Sequence, residues 1–446
     1  MSAKIKALSL LSRTLTSASI QRWHFNAHAL GRKLRGGAAP LAYFHQIDDP
    51  HSHLAAQALR GLVDRYGVDL TIFLVGSPSE AEGAQDPARA PAWALRDAAL
   101  IAPHLGARFP STSRLPDPRV VDLAGRLALD AIERGDFADA IVHIGDLVWA
   151  GDEAGLEAMG PKADAGQVAA AREAGQSTRR SRGHWLSATF NFAGRWYWGL
   201  DRLACLEEDL DAAGVRRPAA PPGGALTPPP APQPPIDLGS ARSGESGQTV
   251  EFFFSLRSPY SYLALSRVFD LERRLGIRLV PRPVLPMVMR GFKVPLTKRI
   301  GIVLDAGREA RRHGIPFGNI ADPVGAGVER ALAVIVRTIE AGGDWQALTL
   351  SLCAGAMAEG VDLAQDAGLR SLVERAGLDW AEAQAAMEDN GWREIVEENR
   401  RILMDDLGLW GVPCFRVGPH AIWGQDRIWL VEALLKAGAD SHGAGS

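Results

Sequence analysis

Cysteine is scarce in this chain: three residues among 446, Cys205, Cys353 and Cys414, odd in number and far apart. That excludes a disulfide framework, a Cys-x-x-Cys redox pair and a cysteine-ligated zinc site, and it suits a reducing, cytoplasmic home. Long apolar runs are also missing. None approaches the roughly 20 residues of a spanning helix, so no integral membrane segment is expected. Charge of one sign is lacking overall, with 49 Lys and Arg against 52 Asp and Glu and a formal net charge of -3, which argues against a nucleic-acid or polyanion partner. Locally the balance fails: the first 47 residues hold no Asp or Glu but carry Lys4, Lys6, Arg13, Arg22, Arg32, Lys33 and Arg35. This segment reads as a basic helix packed on the first domain, ahead of a targeting segment or a surface anchor, because "ALSLLSRTLTSASI" is too short and too interrupted for a secretory core.

What is present is an ordinary globular composition, 46% hydrophobic and 23% charged, long enough for two or three cores. Residues Pro218 to Pro235, "PAAPPGGALTPPPAPQPP", are half proline and form neither helix nor ladder, so they read as a semi-rigid spacer. On either side the chain repeats itself. "DPHSHLA" from Asp49 matches "SPYSYLA" from Ser258, and "WGLDRLACLEEDL" from Trp198 matches "WGQDRIWLVEALL" from Trp423; two matches in the same order point to duplication. Each half opens on a β-rich run ("PLAYFHQI"; "TVEFFFSL"), then a helix, a second strand ("VDLTIFLV"; "IRLVPRPVL") and a long helical stretch. In the second half that stretch covers about residues 298 to 407 and includes "VERALAVIVRTIEA" and "REIVEENRRILMDDLG", with apolar residues three and four apart. "VPCFRVG" and "HAIW" then suit a hairpin about Gly418, Pro419 and His420, before a last helix from Asp426. The fold class expected is α/β, with segments at 1–37 (basic), 38–215 (first domain), 216–248 (linker) and 249–440 (second domain).

Two junctions stand out. In "FFFSLRSPYSYLA" a strand runs into a helix at Ser258 and Pro259, where serine caps free amides and proline has no amide to leave unpaired. Beyond capping, a helix N-terminus directly after a buried strand lowers the pKa of a nearby thiol, and a hydroxyl there can donate to a thiolate the chain does not own. In "GVPCF" Pro413 begins an edge strand, either as a plain edge proline or in a cis bond that turns Val412 toward a ligand lying along the edge. In the first half the cluster His45, Asp48, Asp49, His51 and His53 invites a metal, but if Asp49 caps the helix then His51 and His53 lie about 200° apart around it. Capping is the better reading, and no metal is expected.

With "FSLRSPYSYLA", "LDAGREARRHGIPF", "GVPCF" and "WGQDR", nearly all of residues 249 to 438 resembles the 2-hydroxychromene-2-carboxylate isomerase family, close to kappa-class glutathione transferases within the DsbA-like thioredoxin superfamily. The resemblance implies two tandem thioredoxin-like (DsbA-like) domains, each with an inserted helical subdomain, and glutathione as cofactor. It implies that Ser258 hydrogen-bonds the glutathione sulfur and is the catalytic residue. Pro413 would be the cis-proline, Val412 would pair with the tripeptide backbone, and Asp426, with Gln425 beside it, would receive the γ-glutamyl ammonium. A carboxylate, an open strand edge and a thiolate-stabilising donor are what such a tripeptide requires. Tyr260, Lys298 and Arg308 are candidate substrate contacts, with Lys298, Asp305 and Arg308 facing either the ligand or each other along one helix. Two departures are visible. Cys414 stands where the family often has threonine, as a small buried residue or as a thiol open to mixed-disulfide formation. The family's loop asparagine is not evident in "VMRGFKVPL".

The activity implied is a glutathione-dependent isomerase or transferase acting on a small, conjugated, aromatic-derived acid. The thiolate adds to an unsaturated carbon, the former double bond rotates, and elimination returns the thiol. In the first half Asp49 replaces the serine and Ala188 aligns with Pro413, so this half is expected to bind no glutathione and to act as a structural partner or lid. A DsbA-type thiol-disulfide oxidoreductase and a non-catalytic thioredoxin-fold binding module are the alternatives. Oligomeric state stays open, the two halves forming an internal pseudo-dimer.

Overall fold

A computed structural model describes residues 3–35, 38–83, 86–219, 226, 244 and 246–443. Most of the proline-rich spacer therefore lies outside the described residues. The chain divides into two units, one of residues 22–231 with 295–298 and one of residues 1–21, 232–294 and 299–446, called here the N-terminal and C-terminal units.

In the N-terminal unit β1 (Ala39–His45) pairs in parallel with β2 (Val68–Leu74) and antiparallel with β3 (Thr189–Phe192), which pairs with β4 (Arg195–Trp198); the order is β2-β1-β3-β4. In the C-terminal unit β5 (Thr249–Phe254), β6 (Arg278–Pro283), β7 (Cys414–Val417) and β8 (His420–Trp423) follow the same plan in the order β6-β5-β7-β8. The protein is thus a mixed α/β chain with two four-stranded sheets. β5 is buried along all but its first residue, which is why "VEFFF" reads as a nearly continuous apolar run instead of an alternating one. Phe252 stacks on Phe254 and on Phe415, ring centroids 5.3 Å apart in both pairs. The β7–β8 hairpin turns at Gly418, whose φ of 54° is left-handed and suits glycine.

Between β6 and β7 lies the helical block, from Leu296–Arg312 through Ala326–Glu340 to Trp392–Arg401. The helix Ala326–Glu340 buries Val328, Ala331, Leu332 and Ile335, the three- and four-residue spacing seen in the sequence. Among the described residues no helix is long and apolar enough to cross a membrane.

The basic N-terminal segment divides: from Arg22 on it belongs to the N-terminal unit, where Phe25 packs on Phe192 with ring centroids 6.1 Å apart, but its first helix does not. Its helix Ala3–Thr16 packs in the C-terminal unit and not on the first domain. Ser12 Oγ donates to Gly318 O at 2.7 Å, the Ser9 hydroxyl bonds Asn319, and Arg311 Nη1 donates to Thr16 O at 2.7 Å. The contact face is Ser9, Ser12 and Thr16, small polar residues that a search for apolar stripes passes over, while Leu8, Leu10 and Leu11 are exposed.

Candidate functional site

The helix Pro259–Leu275 starts where β5 ends. Ser258 is its N-cap, and Ser258 Oγ accepts from Ser261 N at 3.1 Å. The same hydroxyl donates to Val412 O at 3.0 Å. One hydroxyl thus joins the helix start to the loop before β7, in which the Val412–Pro413 peptide is cis. Val412 is half-buried, and its N–H has no partner among the described residues, so one open donor lies next to the carbonyl that Ser258 holds. Ser261, where a redox pair would place its second cysteine, is fully buried, and its Oγ accepts from Ser255 N at 3.3 Å.

Asp426 sits in the turn Gln425–Arg427 that follows β8. Its Oδ1 occupies the space that a Cβ on Gly424 would need, and Gly424 has a φ of 118°; only glycine leaves room for the carboxylate there. Gln425, expected at the ligand, is instead 1% exposed with both ends of its amide engaged. Arg267 Nη1 donates to its backbone oxygen at 3.0 Å and also to its Oε1, and its Nε2 donates to Glu309 Oε2 at 3.1 Å. Its amide anchors the turn that carries Asp426. Arg267 and Glu309, each more than a hundred positions from Gln425, were not singled out from the sequence.

Of the candidate substrate contacts, Tyr260 Oη donates to Asp305 Oδ2 at 2.8 Å, and Arg308 pairs with the other oxygen of Asp305. These three residues form one constellation beside the helix start. Arg257 adds a two-pronged pair to Asp322, 2.7 Å at each prong. Lys298 is directed elsewhere. Residues 295–298 belong to the N-terminal unit, where Lys298 Nζ donates to Gly83 O at 2.8 Å and lies over the Trp185 ring at 5.5 Å. Burial pushes its ammonium down to about 8.

Cys414 is fully buried and its Sγ donates to Gly411 O at 3.0 Å. Burial raises this thiol well above its ordinary value, although Arg290 pulls the other way. Cys205 and Cys353 are buried free thiols as well, and Cys353 is pushed up to about 12 by burial. Neither Cys353 nor Cys414 offers a thiolate.

The N-terminal unit repeats the geometry with the donor reversed. Asp49 caps the helix Pro50–Ala56, accepting from His51 N at 3.3 Å and Ser52 N at 3.0 Å. Ser52 Oγ accepts from Gln46 N at 3.2 Å, as Ser261 does from Ser255. The loop bond is also there, but Ser187 Oγ donates to Asp49 Oδ2 at 2.9 Å, and Ala188, with φ of 54°, follows where the other unit has Pro413. His51 and His53 face different partners: His51 Nε2 lies 2.8 Å from Asp97 Oδ2 and His53 Nε2 lies 3.3 Å from Asp146 Oδ1. No group of three metal-ligating side chains occurs among the described residues.

Among known protein families, residues 249–436 match the DSBA-like thioredoxin domain. No curated protein matches the chain. Among solved structures, 2-hydroxychromene-2-carboxylate isomerase is similar at 20% identity over 44% of this chain and 99% of that one, with a TM-score of 0.38. A probable DsbA oxidoreductase from Streptomyces coelicolor is similar at 20% identity, covering 43% and 89%, TM-score 0.34. The cytosolic disulfide reductase DsbM from Pseudomonas aeruginosa, solved with GSH, is similar at 20% identity, covering 42% and 98%, TM-score 0.32.

Proposed function

We propose that the C-terminal unit binds glutathione between Ser258, Val412 and Asp426 and acts as a glutathione-dependent isomerase or transferase on small, conjugated, aromatic-derived acids. The observation that carries this reading is the bond from Ser258 Oγ to Val412 O, 3.0 Å long, at a helix start that has no cysteine at 258 or 261. A neutral donor at that point has a use if the sulfur comes from outside. Bound glutathione would supply a thiolate nucleophile. Ser258 would turn its hydroxyl from Val412 O toward that sulfur, and the helix terminus would add a partial positive charge. Lowering a thiol pKa by two units corresponds to about 2.7 kcal/mol, within reach of a hydroxyl donor plus a helix end. The open Val412 N–H would pair with the tripeptide backbone as an added strand does, and Asp426, held over Gly424, would receive the ammonium. Tyr260 and Arg308, joined through Asp305, would border the substrate.

The N-terminal unit is read as a duplicated copy that binds no glutathione, because Asp49 already accepts from its own loop and its carboxylate would repel an anion. Three buried free thiols fit a reducing, cytoplasmic setting. The oxidoreductase reading is the weaker one, since every cysteine is buried and none stands at the helix start.

Calorimetric titration of the full chain with glutathione tests the proposal. Saturable binding that Asp426→Ala abolishes supports it, followed by a screen of aromatic-degradation intermediates with and without the tripeptide. No heat at millimolar glutathione would leave a non-catalytic module as the reading. Insulin reduction that depends on Cys414 would favour the oxidoreductase.

A further inference from the structure

In the C-terminal unit a cavity of about 250 Å³ opens beside the short turn Met287–Arg290 that follows β6. Leu285, Trp392 and Val396 give it apolar walls, while Arg290, Arg393, Glu397 and Arg400 supply its charge. The charges do not cancel. Arg393 Nη2 donates to Glu329 at 2.9 Å and Arg400 Nε to Glu397 at 2.7 Å, so each has a carboxylate. Arg290 has none. Its Nη2 donates to Trp410 O at 2.7 Å, its Nη1 reaches only the Met404 sulfur at 3.5 Å, and its buried Nε has no partner. Arg400 Nη1 approaches the same sulfur at 3.6 Å. Two guanidinium groups therefore converge on one thioether, a weak acceptor. Arg290 is half-buried and, among the described residues, no carboxylate bonds it, an arrangement that favours a bound anion. Burial pushes Arg290 down to about 10, which still leaves it protonated at neutral pH.

We infer that this cavity is a binding site for a small single-ring carboxylate, its oxygens taken by Arg290 and Arg400 and its ring laid against Trp392, Leu285 and Val396. Guanidinium forks match carboxylate geometry. The size also selects: about 250 Å³ falls below the roughly 300–1,000 Å³ of sites that take drug-sized molecules. Through Arg290 and Trp410 O the site touches the loop that carries Val412, two positions beyond Trp410. The assignment does not depend on glutathione, and it goes beyond the Ser258 groove.

Titration of the full chain with benzoate, in the absence of glutathione, tests it. Saturable benzoate binding is expected, at least tenfold tighter than inorganic phosphate, which cannot use the apolar walls. Arg400→Gln, whose carboxylate partner is on its own helix, should weaken benzoate about tenfold or more, as losing one charged hydrogen bond does. Arg290→Gln should do the same, provided its thermal unfolding matches wild type. Glu397→Gln should act in the opposite sense and tighten binding severalfold by releasing Arg400, an outcome that a merely structural role would not give. Absence of benzoate binding at 10 mM, roughly the weakest affinity such contacts would leave, overturns the site. Equal binding of phosphate overturns the aromatic part of it, and unchanged affinity in Arg400→Gln or weaker affinity in Glu397→Gln overturns the placement of the carboxylate.

Discussion

Replacing Ser258 separates the cap from the donor. Ser258→Ala removes the acceptor for Ser261 N at 3.1 Å and the donor to Val412 O at 3.0 Å. Loss of a serine N-cap costs about 0.5–2 kcal/mol, and a net hydrogen bond to a half-buried carbonyl about 0.5–1.5 kcal/mol, roughly 2 kcal/mol together. For a unit of this size that corresponds to a fall of about 4–8 °C in Tm. Ser258→Asp keeps the cap, as Asp49 does in the other unit, but cannot donate to Val412 O and sets a carboxylate beside it. It should melt between wild type and Ser258→Ala while losing any stabilisation by glutathione. Ser258→Thr keeps both bonds and should stay near wild type in both respects. Differential scanning calorimetry of the full chain, with and without 5 mM glutathione, roughly a cellular level and well above a micromolar Kd, reads all three. The reasoning is refuted if Ser258→Ala melts with wild type, or if Ser258→Asp is stabilised by glutathione as wild type is.

Acid should act first on the N-terminal unit. Burial, together with nearby His53, pushes His45 down to about 3, whereas an unfolded imidazole titrates near about 6.5. The unfolded state then binds a proton that the native state refuses, so stability falls as pH drops below about 6.5, with a slope of up to about 1.4 kcal/mol per pH unit for this group. Urea midpoints from pH 7 to pH 4.5, a range that crosses the unfolded value and stays above the native one, should show the slope in wild type and a shallower one in His45→Leu; equal slopes would reject the assignment. Gly411→Ala drives a Cβ into the Trp423 ring and should destabilise by about 1–3 kcal/mol, measured by urea unfolding, against no change if the ring can shift. A thiol reagent at pH 8 should leave all three cysteines unmodified in the native protein and label all three in urea, since all are buried; rapid native labelling of Cys414 would contradict its raised pKa.

Strand-to-helix junctions were readable because their signals are local. A continuous apolar run ending at Ser-Pro is a strand feeding a capped helix whatever surrounds it, and "VPCFRVG" with "HAIW" is a hairpin by its turn residues alone. Ser258 could be named as a cap by the same means, whereas Val412 and Asp426 were named as ligand contacts only through the family resemblance. What was illegible depends on partners distant in sequence. Gln425 turns inward because Arg267 and Glu309 are there to take its amide, and Lys298 leaves the site because Gly83 O and Trp185 hold it. The N-terminal helix binds through Ser9, Ser12 and Thr16, which no hydrophobic pattern marks. The arginine cavity had a partial signal: Trp392 and Val396 lie four apart, with Arg393, Glu397 and Arg400 on the adjoining stripe, but Arg290 joins them only through the fold.

The two units pose one question twice and answer it differently. In each, a cap side chain at the start of a helix meets the loop before an antiparallel strand through a single hydrogen bond. With Ser258 the cap is the donor, and a hydroxyl can turn from Val412 O to an incoming anion without changing its charge. With Asp49 the cap is the acceptor, and its carboxylate already takes bonds from His51 N, Ser52 N, Ser52 Oγ and Ser187 Oγ. An anion arriving there would meet like charge at close range, and admitting it would leave those donors unpaired, each a cost of about 1–3 kcal/mol where buried. The helix terminus favours negative charge in both units. In one that preference is left for a ligand; in the other the chain's own aspartate uses it up. On the proposed reading, the identity of a single cap residue decides which unit could hold a borrowed thiolate, and the shared scaffold alone does not.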